Sequence, residues 1–317
     1  FPEATIDVLV KQLAAPILVH HPLLRRVTAL DIKPGRNIDA PWTFWRWLSE
    51  VRRERYDWVI TLQDRNERAS LLAGFSGAQQ IGGYVHPALK WLYDQPIAET
   101  CFPDIHLAEH FLGLLERIGV PRMPHRGLEM WPGAEAECQA DARWEAAGLT
   151  GNARVIGLNP GARIPIKQWT AEGFAAVADR LAAEGYTPVL FGGPLDVRRA
   201  EEICARATHP PVVFTGAVDL LELAALIRKC ACFITGDTGP MHIAASQQVP
   251  VVALFGPTDV CRYYPYGVPH RVIASSARCP TCVGAHCPNI FCMKAITVEQ
   301  VMENFHALLA EKVGVRS

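Results

Sequence analysis

The run Gly236-Asp237-Thr238-Gly239-Pro240-Met241-His242-Ile243-Ala244-Ala245 constrains this chain more than any other part of it. It follows a short apolar stretch, Cys232-Phe233-Ile234-Thr235, begins an apolar-periodic segment, and is closed by a second strand-like run, Val249 to Phe255. The order is strand, tight turn, helix, strand. A helix opening at such a turn directs unpaired backbone N–H groups and its positive dipole end outward, where they can hold a phosphate. Taken singly, Asp237 or Thr238 is an N-cap, Gly239 a turn residue and His242 a satisfied helix histidine. Taken together, a carboxylate, a hydroxyl, a glycine and a histidine one helical turn further on face one crevice and form a candidate site.

The rest of the second half supports that reading. Strand-like runs recur at Arg154–Asn159, Thr187–Phe191, Val212–Phe214, Cys232–Thr235, Val249–Phe255 and Arg271–Ile273, with helical patterns between most of them. Such alternation implies a parallel sheet covered on both faces. Thr170 is placed to cap a helix over 171–184 that Gly185 ends, and Asp219 to open one over 220–229. The first half is less regular, with strands expected at Thr5–Val10, Val27–Leu30, Trp58–Leu62 and Gln79–Gly82. Helices are expected at Pro41–Arg53, Phe111–Ile118 and Glu135–Ala147. Trp42, Trp45 and Trp47 on the first of these suit core or interface packing better than a carbohydrate platform. Gly148, Gly151 and Asn152 interrupt the pattern, so the expected domains are 1–150 and 151–317, with a last helix over 298–312 packing back.

At 317 residues, half of them apolar, the chain suits two globular domains. A formal net charge of -1 argues against a general nucleic-acid binder. No apolar stretch approaches the ~20 residues that span a bilayer, and no secretory leader pattern is evident. The expectation is a cytoplasmic protein, in peripheral contact with a membrane at most. Six of the ten cysteines are scattered in apolar or helical contexts, as small buried hydrophobes. The other four, Cys279, Cys282, Cys287 and Cys292, cluster at a spacing close to that of zinc ribbons without matching it. Structural zinc, reduced cysteines packing a loop, and a redox disulfide all remain open there.

The Asp-Thr-Gly run 237–239 with His242, followed by Val252-Ala253-Leu254-Phe255-Gly256-Pro257-Thr258-Asp259, resembles glycosyltransferase family 9, the ADP-heptose:lipopolysaccharide heptosyltransferases. The likeness extends to Asn159-Pro160-Gly161-Ala162 with Lys167-Gln168-Trp169, to the Gly192-Gly193-Pro194 turn and to the cysteine loop ending in Cys292-Met293. It implies a GT-B architecture of two facing Rossmann-like domains, with the nucleotide sugar held by 151–317 and the acceptor by 1–150. It further implies an inverting transferase that moves a heptose from ADP-heptose to a lipopolysaccharide inner-core acceptor at the inner-membrane face, with no required cofactor.

The chemistry of the residues agrees. Sugar transfer from a nucleoside diphosphate develops negative charge on the departing group, and Lys167 with the helix start at Thr238–Gly239 can meet it. Lys167 and Asp237 are therefore the candidate catalytic residues. Asn159, Gly161, Gly193, Asp196, Thr238, Gly239 and His242 join them as candidate donor-binding residues, Asp196 as an acceptor for ribose hydroxyls. The resemblance implies that the base for the acceptor hydroxyl is an Asp in a first loop, in a segment preceding Phe1, so that the first strand–loop–helix unit is expected to be absent. Asp64, His20, His21 and His86 are substitutes that spacing does not rank. Arg65, Arg68 and the Gly82-Gly83-Tyr84 turn could face an anionic saccharide. Two alternatives stand beside the leading reading: a GT-B transferase for another sugar or acceptor, and a donor-binding or scaffold protein with impaired catalysis.

Overall fold

Short parallel strands alternate with helices through most of the chain, as the apolar periodicity requires. The structure is a computed structural model that describes residues 3–30, 41–63, 66–97, 104–124, 127–149, 154–275, 287 and 290–314. Its contacts divide it into two units, Phe1–Ala29 with Arg126–Ser317, and Leu30–His125.

The chain opens with β1 (Ile6–Lys11), α1 (Ala15–Leu18) and β2 (Leu24–Leu30), and β1 pairs with β2. The guanidinium of Arg25 closes this ribbon on Asp7, with Arg25 Nε donating to Asp7 Oδ1 at 2.9 Å.

The smaller unit contains α2 (Pro41–Glu54), β3 (Trp58–Thr61), α3 (Glu67–Gly74), β4 (Gln80–Tyr84), β5 (Gln95–Ile97) and α4 (Leu107–Arg117). Its three described strands form a parallel sheet in the order β3-β4-β5. The Gly82-Gly83-Tyr84 segment, expected as a turn, belongs to β4. Two close approaches explain this. A Cβ on Gly82 would stand 3.3 Å from Ile118 Cγ2, and one on Gly83 would stand 2.2 Å from the Thr61 carbonyl oxygen. The glycines let β4 lie tight between its neighbours instead of turning the chain.

The larger unit resumes with α5 (Ala134–Ala146), β6 (Val155–Asn159), α6 (Ala171–Ala183), β7 (Thr187–Leu190), α7 (Val197–Arg206), β8 (Val212–Val213), α8 (Leu220–Ile227) and β9 (Cys232–Gly236). It continues through α9 (Gly239–Ser246), β10 (Val251–Phe255), α10 (Val260–Tyr263), β11 (His270–Ala274), α11 (Phe291–Lys294) and α12 (Val298–Gly314). The six described strands form a parallel sheet in the order β11-β10-β9-β6-β7-β8. Alternate residues feed two cores, as a strand period of two demands. Val155, Phe191, Phe233, Val251, Ala253 and Phe255 pack with α5, α8 and α9 on one face. Ile156, Leu158, Leu190, Ile234, Val252 and Leu254 pack with α6, α7 and α12 on the other. The expected caps are formed: Thr170 Oγ1 accepts from the Gly173 N–H at 3.0 Å, and Asp219 Oδ1 from those of Leu221 and Glu222, each at 2.9 Å.

The expected break at 148–153 lies inside this unit, because α5 packs against α8 and Arg143 Nε donates to the buried Glu222 Oε1 at 2.5 Å. No helix of the described residues is long and apolar enough to cross a membrane.

Candidate active site

In the larger sheet the chain leaves β6 toward β7 on one side and later returns to lay β9 on the other. The crevice outside the carboxyl ends of two such strands, where strand order reverses, is where open α/β sheets bind ligands. Asn159 is the last residue of β6 and is in register with Thr235 of β9. Its side-chain amide donates to Thr235 Oγ1 at 3.0 Å, to Thr238 Oγ1 at 3.2 Å and to the Gly161 carbonyl at 3.3 Å. Asn159 is 1% exposed, so these bonds hold the two strand ends together away from water. Thr235 was not singled out from sequence. Its signal is a hydroxyl ending an otherwise apolar strand.

Lys167 reaches the crevice from a short 3-10 turn, Pro165–Lys167. A Cβ on Gly236 would stand 3.0 Å from the Lys167 carbonyl oxygen, so the bare Gly236 backbone admits this turn against the end of β9. Two bonds tie the turn down: Gln168 Nε2 donates to the Ala162 carbonyl, and the indole N–H of buried Trp169 to the Ile296 carbonyl, both at 3.0 Å. Lys167 Nζ then meets Asp237 Oδ2 at 2.6 Å. The Asp237 side chain is 6% exposed and that of Lys167 25%, so the ammonium keeps one side open to the crevice. A half-buried ion pair adds little net stability, because desolvation offsets its Coulomb attraction. What it does is fix the ammonium in position.

Directly after Asp237, α9 begins at Thr238 with no side-chain cap, and the Thr238 hydroxyl turns back to the Gly236 carbonyl at 3.4 Å. The dipole end of α9 is left to whatever enters the crevice. A Cβ on exposed Gly239 would meet nothing within 4 Å. His242, one turn into α9, is held below the ordinary histidine value chiefly by burial; Asp237 opposes that shift and Lys167 adds to it. The ring is therefore neutral near pH 7 and can both donate and accept.

Gly193 and Asp196 form a second patch after β7. Asp196 Oδ2 accepts from the Gly193 N–H at 2.9 Å. A Cβ on Gly161 would stand 2.3 Å from Asp196 Cγ, which brings this patch against the loop after β6. The structure thus brings Asn159, Gly161, Lys167, Asp237, Thr238 and His242 together, with Gly193 and Asp196 joined to them through Gly161.

The remaining candidates are engaged elsewhere or lie outside the described residues. His21 Nδ1 accepts from the Leu23 N–H at 3.2 Å, and its ring meets that of Trp131 at 4.3 Å. His20 lies against Gly133 in the same unit. His86 Nδ1 accepts from the Ala88 N–H at 3.3 Å, with Glu67 3.6 Å from its Nε2. Arg68 is the second residue of α3, in its first turn. Asp64, Arg65, Cys279 and Cys282 are outside the described residues. Cys287 is a free thiol, and a Cβ on Gly256 would stand 3.2 Å from Cys292 Sγ. No group of three or more His, Cys, Asp or Glu side chains fit to hold a metal occurs among the described residues. Trp47 is 5% exposed, as core packing predicts, whereas Trp42 and Trp45 are 79% and 63% exposed.

The family model of glycosyltransferase family 9 (heptosyltransferase) matches residues 44–291. The chain belongs to glycosyltransferase family 9. This family 9 protein is an enzyme, a glycosyltransferase. It is 29% identical over 270 residues to lipopolysaccharide heptosyltransferase 3 of Escherichia coli, covering 84% of this chain and 78% of that one. Among solved structures, the glycosyl transferase family 9 protein of Veillonella parvula superposes with a TM-score of 0.86 at 30% identity, over 98% of this chain and 89% of that one. The E. coli ADP-heptose lps heptosyltransferase II shares the fold with a TM-score of 0.75 at 23% identity, over 98% and 91% of the two chains. The α/β architecture with parallel sheets expected of a GT-B enzyme is thus present.

Proposed function

We propose that this family 9 enzyme moves a heptose from ADP-heptose to a lipopolysaccharide inner-core sugar, with inversion and without a metal ion, at the cytoplasmic face of the inner membrane. The observation that carries the donor part is the Lys167–Asp237 pair beside the uncapped start of α9, at the switch point of the larger sheet. The diphosphate lies at the start of α9, where the free backbone N–H groups and the Lys167 ammonium take up the charge that develops as the sugar departs. Asp237 is ill suited to touch a phosphate. Its roles are to orient Lys167 and to accept from donor hydroxyls. Neutral His242 donates to a phosphate oxygen, and the Gly193–Asp196 turn accepts from the ribose. The acceptor belongs to the N-terminal part of the chain, and no residue here is assigned as its base.

Names of relatives support heptose and lipopolysaccharide: the E. coli proteins above are described as heptosyltransferases acting with ADP-heptose or on lipopolysaccharide. Calorimetric titration with ADP-heptose, ADP, UDP and GDP, followed by turnover with a lipopolysaccharide-core acceptor, tests the reading. Selective ADP-heptose binding with turnover that survives a chelator, and a product of inverted anomeric configuration, is the expected result. Preference for a uridine or guanosine donor would replace ADP-heptose with another sugar nucleotide.

A further inference from the structure

Helix α2 of the smaller unit has two unlike faces. Trp47 and Leu48 are 5% and 3% exposed and bury one of them, with Phe44 and Val51 half-buried beside them. Residues 42, 45, 46, 49, 52 and 53 recur at the three- and four-residue spacing that forms the opposite face. Every one of these six is exposed: Trp42, Trp45, Arg46, Ser49, Arg52 and Arg53. Two indoles 79% and 63% exposed on one helix are costly to leave in water, since aromatic side chains each carry a large apolar area. The charges among them are all positive, with exposed Glu50 at the edge of the face. Helix α3 packs beside α2, and its end brings a further apolar group alongside: Phe75 is 43% exposed, and Arg52 Nε is 3.9 Å from where a Cβ on Gly77 would stand.

We propose that this outer face of α2 docks the enzyme on an anionic bilayer, an inference that sharpens the membrane-face part of the proposed function and does not depend on the donor. Charge complementarity commits it to lipid. Indoles settle at the depth of headgroups, and arginines extend their guanidinium groups to the phosphates while their stems cover apolar surface. Three arginines with a single carboxylate at the edge match the phosphates of an anionic bilayer better than an uncharged sugar.

The test is sedimentation of the full chain with vesicles of phosphatidylcholine alone and of phosphatidylcholine mixed with phosphatidylglycerol. Binding to the mixed vesicles is expected to be at least about tenfold tighter and to fall as salt is raised. Trp42→Ala with Trp45→Ala should weaken it at least about tenfold, and Arg46→Gln with Arg53→Gln should remove most of its salt dependence. If the tryptophan variant fails to fold by circular dichroism, quenching of wild-type tryptophan emission by phospholipids brominated near the headgroup takes its place. Equal binding to both vesicle types, unchanged binding by the tryptophan variant, or no quenching overturns the proposal. So does loss of affinity for a lipid-free core oligosaccharide with vesicle binding intact, which would make the face a saccharide platform. ADP titration of the same samples separates the two readings: vesicle binding without ADP binding leaves the docking surface standing and removes the donor site.

Discussion

The two units are both parallel α/β structures, yet they differ in how firmly they hold their strands. In the larger unit β6, β9 and β10 are buried at every residue and lie between two helical layers, each with its own large apolar cluster. In the smaller unit β3 and β5 are mostly half-buried, and the apolar groups fall into smaller clusters such as those around Ile81 and Leu114. Strands buried on both faces cannot shift register without exposing an entire row of side chains. That rigidity is what a site built from strand ends needs, since Asn159 and Asp237 are placed by the ends of β6 and β9. The smaller unit instead leaves aromatic groups in the open on α2, where a surface contact can use them.

That contrast can be broken or sharpened by experiment. The largest effect should come from Phe233→Ala, which empties a fully buried position beside Phe191 and over Gly157. A loss of about 3–5 kcal/mol in denaturant unfolding is expected, together with weakened ADP binding. Leu114→Ala in the smaller unit should cost about 2–5 kcal/mol and leave ADP affinity unchanged; a fall in ADP affinity as well would argue against a donor site built from the larger unit alone.

Next in size is the effect of the ligand. ADP at a hundred times its Kd should stabilise the larger unit by about 2.7 kcal/mol, and hydrogen exchange should show the added protection in β6, β9 and α9 but not in β3 or β4. Protection spread evenly over both units would argue for a site elsewhere. Lys167→Ala and Asp237→Ala should each weaken ADP-sugar binding at least tenfold, about 1.4 kcal/mol. Unchanged calorimetric affinity in both would remove the proposed donor site.

The smallest effect is that of pH. Burial holds His242 below its ordinary value of 6.5 in the folded protein, so the unfolded chain takes up that proton first. The stability contributed by the neutral ring is complete above 6.5 and is lost as pH falls below it. A His242→Gln variant should therefore show a flatter dependence of unfolding free energy on pH across this range. An identical slope would mean the histidine is not desolvated.

Much of the larger unit was legible in the sequence. Strand runs from β6 to β11 were bounded within one or two residues, and Thr170 and Asp219 cap as their residue types and positions require. The elements not picked out have physical reasons for their weak signals. Strand β5 is three residues long with a proline at its centre, and α1, Ala15–Leu18, is a single turn, too short to show a period. The exposure of Trp42 and Trp45 contradicts the simple preference of aromatic side chains for the core, while Trp47 on the same helix follows it.

Local patterning determined the parallel α/β class, the strand–turn–helix at Gly236 and the residue types of the donor site, because periodicity and capping act over a few neighbours along the chain. Only the tertiary structure decided which of those residues meet. Lys167 and Asp237 are seventy positions apart and Asn159 and Thr235 seventy-six, and they come together because the order β10-β9-β6-β7 sets two strand ends side by side. It also decided that α5 packs with the larger sheet and that two tryptophans face outward, since burial depends on what the rest of the chain places against a helix and not on the helix alone.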